Sequence, residues 1–189
     1  MEDLEIIDRP SPNQDARPGD QVVDMLLLHY TGMETGEAAL ERLCDPEAKV
    51  SAHYCIEEDG RVYALVPEDA RAWHAGVALW QGVSDINARS IGIELVNPGH
   101  EFGYRLFPPA QMAALKTLAL DILARHSIAP ASVLGHSDVA PLRKQDPGEL
   151  FDWRGLANAG IGIWPEDSSA AVLENSVAKA LERIGYGFT

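Results

Sequence analysis

Three side chains far apart in the chain are of the types that bind a catalytic metal. His29 ends the apolar run Leu26-Leu27-Leu28, His136 sits in Gly135-His136-Ser137-Asp138, and Asp146 in Lys144-Gln145-Asp146-Pro147-Gly148. Two imidazoles and one carboxylate suit a catalytic zinc, with water as the fourth group of a tetrahedron. Structural zinc sites are instead closed four-ligand sets rich in Cys, and neither Cys44 nor Cys55 is near these residues.

Two further residues fit the same chemistry. Glu94 stands in a strand-like stretch among Ile91, Ile93, Leu95 and Val96. A carboxylate buried there would have a raised pKa, suiting it to take a proton from a metal-bound water; the alternative is a solvated edge-strand glutamate. Lys144 lies two residues before Asp146. In an extended loop that spacing puts both side chains on one side, where an ammonium can steady an oxyanion.

The elements that must position these groups can be read from the patterning. Residues 8 to 20, rich in proline and polar side chains, read as an extended lead-in. Val22 to His29 reads as a buried strand and Glu37 to Leu43 as a short helix closed by Asp45-Pro46. His53 to Glu57 and Arg61 to Val66 read as a hairpin turning at Asp59-Gly60. Ala70 to Asn87 has no clean period and carries Trp73 and Trp80, as a loop covering a site would. Ser90 to Val96 is a strand interrupted by Gly92, where another group must pass closely. Gln111 to His126 is the strongest helix, and Ser132 to Gly135 a short strand before the loop to Gly148. Phe151-Asp152-Trp153 opens a short helical turn. The expected fold class is α/β, a central mixed β-sheet flanked by helices. The expected organisation is a lead-in over 1–21, a catalytic domain over 22–165, and a C-terminal amphipathic helix over 166–189. That helix, with Val172, Leu173, Val177, Ala180, Leu181 and Ile184 on one stripe, either docks on the main domain or begins a truncated module.

Composition narrows the partners. With 15 basic against 29 acidic residues the chain carries a formal charge of -14, which disfavours nucleic acid and an anionic membrane surface. No apolar run approaches a membrane span. The acidic N-terminus shows no secretory signal as written, so the expected setting is cytoplasmic. The two cysteines make no disulfide framework. Oligomeric state leaves no trace in the sequence.

Six ordered motifs resemble the zinc-dependent N-acetylmuramoyl-L-alanine amidases of the type-2 amidase family, relatives of the peptidoglycan recognition proteins. They are Leu28-His29-Tyr30-Thr31, Val50-Ser51-Ala52-His53-Tyr54, Ala72-Trp73-His74-Ala75-Gly76, Asn87 to Leu95, Gly135-His136-Ser137-Asp138, and Arg143 to Gly148 followed by Phe151-Asp152-Trp153. The resemblance implies a mixed sheet with helices on its faces. It implies hydrolysis of the amide between N-acetylmuramic acid, or its anhydro form, and L-alanine of a muropeptide or peptidoglycan stem. It also implies one Zn2+ held by His29, His136 and Asp146, with Glu94 as base and Lys144 on the oxyanion. His74 matches a position near the substrate, and Asn87 one that shapes the loop or holds the muropeptide. Trp73, Trp80 and Tyr54 either stack on substrate or pack in the core. His53 is expected to brace the first strand, while His100 and His126 receive no role. Arg89 departs from the small or acidic residues commoner at its position, so local substrate contacts are expected to differ. The stretch Ala180 to Tyr186 resembles the first helix of a peptidoglycan-binding module, which points to a periplasmic or cell-wall-associated alternative. The rival from another class is a recognition protein that binds peptidoglycan fragments without cutting them.

Overall fold

The computed structural model describes residues 4–19, 21–165 and 177–187. In chain order the strands are β1 (Ile6–Asp8), β2 (Gln14–Ala16), β3 (Met25–Tyr30), β4 (Tyr54–Ile56), β5 (Val62–Ala64), β6 (Ala70–Ala72), β7 (Ser90–Leu95) and β8 (Val133–Gly135). The helices are α1 (Gly36–Cys44), α2 (Ile86–Arg89), α3 (Gly99–Phe102), α4 (Pro109–Arg125), α5 (His136–Val139), α6 (Trp153–Asn158) and α7 (Val177–Ile184). Six strands form one sheet in the order β1-β5-β4-β7-β3-β8, and β2 pairs with β6 in a second, two-stranded sheet. Within the large sheet only β4 and β5 run antiparallel, as the hairpin over Asp59-Gly60; the other neighbours are parallel. This is the mixed sheet with flanking helices that the sequence predicts.

Side-chain alternation divides the sheet into two unlike faces. Leu26 and Leu28 of β3, Ile91, Ile93 and Leu95 of β7, and Tyr54 and Ile56 of β4 point to one side. Helix α4 covers that side with Met112, Ala114, Leu115, Leu118, Ala119 and Ile122. Burying Leu115 or Ile122 completely is worth about 2–3 kcal/mol each. On the other side Met25 and Leu27 pack against Ala75, Ala78, Trp80 and Ile86. There α1 also lays Leu40 and Leu43 over Cys55 and Tyr63. Its N-terminus is capped by the Thr35 hydroxyl, which accepts from Ala38 N–H.

Several expectations meet a different local outcome. The predicted strand from Val22 begins only at Met25, and both hairpin strands are trimmed to three residues. The lead-in is extended, but part of it is strand: β1 adds to the large sheet alongside β5 and β2 clips onto β6. The loop from Ala70 to Asn87 contains β6 and the start of α2. His136 does not end a strand; it is the first residue of α5, directly after β8. The expected helix start at Ser168-Ser169 lies outside the described residues. The described tail ends against the main domain: Tyr186 packs on Trp80 with ring centroids 5.2 Å apart, and Gln81 N–H donates to Gly185.

The C-terminal end of α4 is tied down by one carboxylate. Glu68 accepts from Tyr54 Oη (2.8 Å), Arg125 (2.7 Å) and His126 (2.7 Å). Partial burial alone would raise its pKa, but the hydrogen bonds from Arg125, His126 and Tyr54 prevail and hold it at about 2. A depressed folded-state pKa contributes stability that is full above the unfolded value near 4.5 and is lost as pH falls from there through about 2. Glu68→Gln is therefore expected to lower unfolding stability at pH 7 by about 2–3 kcal/mol and to flatten its decline between pH ~4.5 and ~2. Urea melts across that range check it; a variant as acid-sensitive as the parent would show that Glu68 is not the linked group.

Candidate metal centre

Parallel neighbours β8, β3 and β7 bring their C-terminal ends to one edge of the sheet, the edge where ligand sites in such sheets form. His29 is the fifth of six residues in β3, on the face of Met25 and Leu27, with Glu94 of β7 beside it in register. His136 opens α5 just past β8. Asp146 follows in the loop, its backbone carbonyl accepting from Ser137 N–H at 2.9 Å, and a cis peptide joins it to Pro147. Tyr104 clasps the same loop: its hydroxyl donates to Pro147 O (2.6 Å) and accepts from Leu150 N–H (3.1 Å). Asp138 caps the α5 turn through Gly135 N–H at 2.7 Å and in turn accepts from the Tyr186 hydroxyl.

The three expected ligands meet. His29 Nδ1 lies 2.9 Å from His136 Nδ1 and 3.0 Å from Asp146 Oδ2, and His136 Nδ1 lies 3.1 Å from the same oxygen. All three residues are buried. A point about 2.0–2.2 Å from each donor, the distance zinc takes to nitrogen and oxygen, sits just off the plane of that triangle. The donor set fits a divalent ion chemically as well. Burial, followed by the neighbouring His136, lowers the His29 pKa to about 4, so its ring is a neutral donor at pH 7. Burial would raise Asp146, but hydrogen bonds with His136 and His29 outweigh it and hold the carboxyl well below its ordinary range. His136 Nε2–H donates to Ala75 O (2.9 Å), which leaves Nδ1 as the lone pair facing the common point. Arg143 holds that carbonyl's loop, donating to Ala75 O (2.9 Å) and Val77 O (2.7 Å).

A cleft of about 470 Å³ opens above these donors. Glu94 lines it, with one carboxylate oxygen, Oε2, buried and without a hydrogen-bond partner. Its pKa is pushed well above the carboxylate range, first by burial and then by the charge of Asp146, with Lys144 opposing. Lys144, Trp73 and His74 also line the cleft. Trp73 donates its indole N–H to Asp15 at 2.7 Å, and His74 Nδ1 lies 3.0 Å from His29 Nε2. Asn87 and Tyr54 stand outside the lining. The Asn87 side-chain oxygen accepts from the backbone N–H of His74 (3.1 Å) and Ala75 (2.8 Å), the loop-shaping arrangement. Tyr54 and Trp80 are core residues. Arg89 is also absent from the lining and pairs with Asp24 through bonds of 2.7 and 2.5 Å.

Sequence reasoning overlooked several cleft and support residues. Arg42 of α1, Tyr30 and His100 line the cleft, and His100 bridges Tyr30 (2.9 Å) and Glu149 (3.0 Å). Arg17, from the lead-in, donates to the backbone carbonyls of Glu68, Asn87, Ala88 and Ser90 and so stitches the cleft wall to β7. Neither Arg42 nor Arg17 belongs to a motif; only the packing of distant segments reveals them.

Comparison with known proteins gives a consistent result. The family model described as N-acetylmuramoyl-L-alanine amidase matches residues 19–149. The N-acetylmuramoyl-L-alanine amidase AmiD of Escherichia coli is 42% identical over 156 residues, 76% of this chain and 55% of AmiD. The chain thus spans little more than half of that relative's length. The 1,6-anhydro-N-acetylmuramyl-L-alanine amidase AmpD of E. coli is 37% identical over 161 residues, covering 76% of this chain and 86% of AmpD. Among solved structures, E. coli AmiD in complex with anhydro-N-acetylmuramic acid-L-Ala-D-gamma-Glu-L-Lys superposes with a TM-score of 0.80 at 37% identity, covering 93% of this chain and 76% of that one. AmpDh3 of Pseudomonas aeruginosa superposes at 0.81 and 33% identity, covering 93% and 78%.

Ligand binding to the folded state alone raises its stability by mass action. Zinc added to chelator-treated protein is expected to raise Tm, reaching a stabilisation of about 4 kcal/mol at about 1,000 times Kd. Asp146→Ala is expected to abolish the shift. A Tm indifferent to zinc in the parent chain would mean that the three donors do not hold the ion.

Proposed function

From the premise that this chain belongs to the N-acetylmuramoyl-L-alanine amidase family, we propose that it hydrolyses the amide between N-acetylmuramic acid, in its anhydro form above all, and the L-alanine of a muropeptide. The observation that carries the reading is the convergence of His29, His136 and Asp146 beneath a cleft walled by the buried, unpartnered carboxylate of Glu94. A zinc ion held by those three side chains would supply an acidified water and polarise the scissile carbonyl. Glu94, its proton affinity raised by burial, accepts a proton from the attacking water and returns it to the departing nitrogen of L-alanine. Lys144 presents its ammonium to the oxyanion that develops as the carbonyl carbon becomes tetrahedral. No side chain forms a covalent bond to the substrate. Trp73 offers an aromatic wall to sugar or peptide.

The cleft is basic although the chain is acidic. Among the described residues Arg42 and Lys144 line it without an ion-pair partner, while Arg9, Arg61, Arg71, Arg89, Arg105 and Arg125 are each paired with a carboxylate elsewhere. The ligand in the AmiD complex contains a γ-linked D-glutamate, which leaves its α-carboxylate free. Arg42 is assigned that carboxylate here. The presence of all three ligands and the carboxylate favours cleavage over recognition alone. The proposed setting is turnover of soluble anhydro-muropeptides. No helix among the described residues is long and apolar enough to cross a membrane.

The test is hydrolysis of anhydro-N-acetylmuramyl peptide followed by mass spectrometry. Glu94→Gln is expected to lower kcat by about 10²–10⁴-fold with zinc content unchanged; near-parental turnover with zinc retained would remove Glu94 from the role of base. Arg42→Ala is expected to raise KM about 10-fold with kcat nearly constant, the signature of binding shared by ground and transition states. If KM stays put, Arg42 is a solvent-facing cation only.

A further inference from the structure

The orientation of His29 is decided by a backbone carbonyl three hydrogen bonds away. Its Nε2 is 3.0 Å from His74 Nδ1, His74 Nε2 is 3.3 Å from Ser90 Oγ, and Ser90 Oγ is 2.7 Å from Ile86 O. A carbonyl only accepts, so the single hydroxyl proton of Ser90 goes to Ile86 O. Ser90 Oγ then accepts from His74 Nε2–H, His74 Nδ1 is the bare nitrogen, and it accepts from His29 Nε2–H. The lone pair of His29 is thereby left on Nδ1, the atom that meets His136 and Asp146.

The slot around His74 is built for this chain of bonds. His74 is buried against Gly92 of β7, where an added Cβ would stand 2.5 Å from ring atoms Cγ and Nδ1. The Gly92 N–H donates to His53 Nδ1 (2.9 Å), and the His53 ring meets the His74 ring edge-on with centroids 5.6 Å apart. Asn87 grips the His74 and Ala75 N–H groups from the opposite side. Burial, then the neighbouring His29 and His53, lowers the His74 pKa well below its ordinary value, in keeping with a neutral ring that has one donor and one acceptor. Ser90 is fully buried and not part of the cleft lining.

We infer that His74 and Ser90 are positioning residues, which through the chain His29–His74–Ser90–Ile86 O hold the first metal ligand in the tautomer and ring orientation that binds the ion. The inference rests on His29 being a metal ligand, and it gives His74 a role towards the metal rather than towards the substrate. Gly92 is the glycine that gives this imidazole its room.

Zinc affinity, measured by competition with a chromophoric chelator on the full chain, tests it without relying on turnover. His74→Ala is expected to weaken zinc binding by about 10–100-fold, the usual loss when the partner of a ligating imidazole is removed. Ser90→Ala, which touches neither ion nor substrate, is expected to weaken it by about 10-fold. His74→Asn, whose Oδ1 can replace ring Nδ1 as acceptor, is expected to recover part of the loss. In the zinc-loaded chain the His29 and His74 Nε2–H protons are expected to exchange slowly with solvent, and faster in Ser90→Ala. Separate variants at the two positions keep a folding defect in one from deciding the matter. Parental zinc affinity in both alanine variants, or a raised KM with unchanged zinc affinity in His74→Ala, would overturn the inference and leave the amidase reading standing. A parent chain that binds no zinc would overturn both.

Discussion

Three electron-pair donors aimed at one buried point repel one another unless a positive charge sits among them. Most of the surrounding architecture serves to hold His29, His136 and Asp146 in that arrangement despite the cost. Nδ1 to Nδ1 at 2.9 Å, with a carboxylate oxygen 3.0 and 3.1 Å away, leaves no room for solvent to soften the contact. A divalent ion converts the same geometry from repulsive to favourable. That change of sign is why a metal-binding reading explains the local structure better than a satisfied polar core does. The supports are correspondingly rigid: Ala75 O on His136, Ser137 N–H and the Tyr104 hydroxyl on the loop around Asp146, and the imidazole of His74 on His29.

The sheet allows this because its two faces do different work. The α4 face of β3 and β7 is purely apolar and supplies the burial that holds the domain together. The opposite face places Ser90, Gly92 and Glu94 in register with Met25, Leu27 and His29. Along both strands that face grades from packed core to polar cleft within six residues. A slip of one residue in either strand would exchange the faces and bury the polar set beneath α4. Register between β3 and β7 is therefore the parameter on which core and site jointly depend.

Charge is distributed with the same economy. The chain is strongly acidic, yet most arginines outside the cleft are paired with carboxylates or, like Arg17 and Arg143, with backbone carbonyls. Exposed pairs of that kind add little stability, about 0–1 kcal/mol each. Their effect is to leave Arg42 and Lys144 as the uncompensated cations at the cleft, so that an anionic ligand meets its complement there and repulsion elsewhere.

Much of this was legible before the fold was known. The apolar stripe of α4, the Asp59-Gly60 hairpin and the runs that become β3 and β7 follow from local periodicity and turn chemistry, which act over a few residues. The ligand triad was legible because metal chemistry restricts residue types so strongly that His29, His136 and Asp146 stand out by kind and by motif. Gly92 announced a close approach, though not what approaches. Short elements such as β1, β2, β6 and α2 were not legible, because three or four residues carry too little propensity and are set by pairing with distant partners. Nor were Arg42, Arg17, Tyr104 and Ser90, whose places depend on segments 30 to 70 residues away folding against them. Residue types by themselves determined which chemistry this chain can perform. The tertiary structure alone decided which nitrogen of each imidazole performs it, because a tautomer is chosen by the partner across a hydrogen bond, and those partners come together only when the sheet has formed.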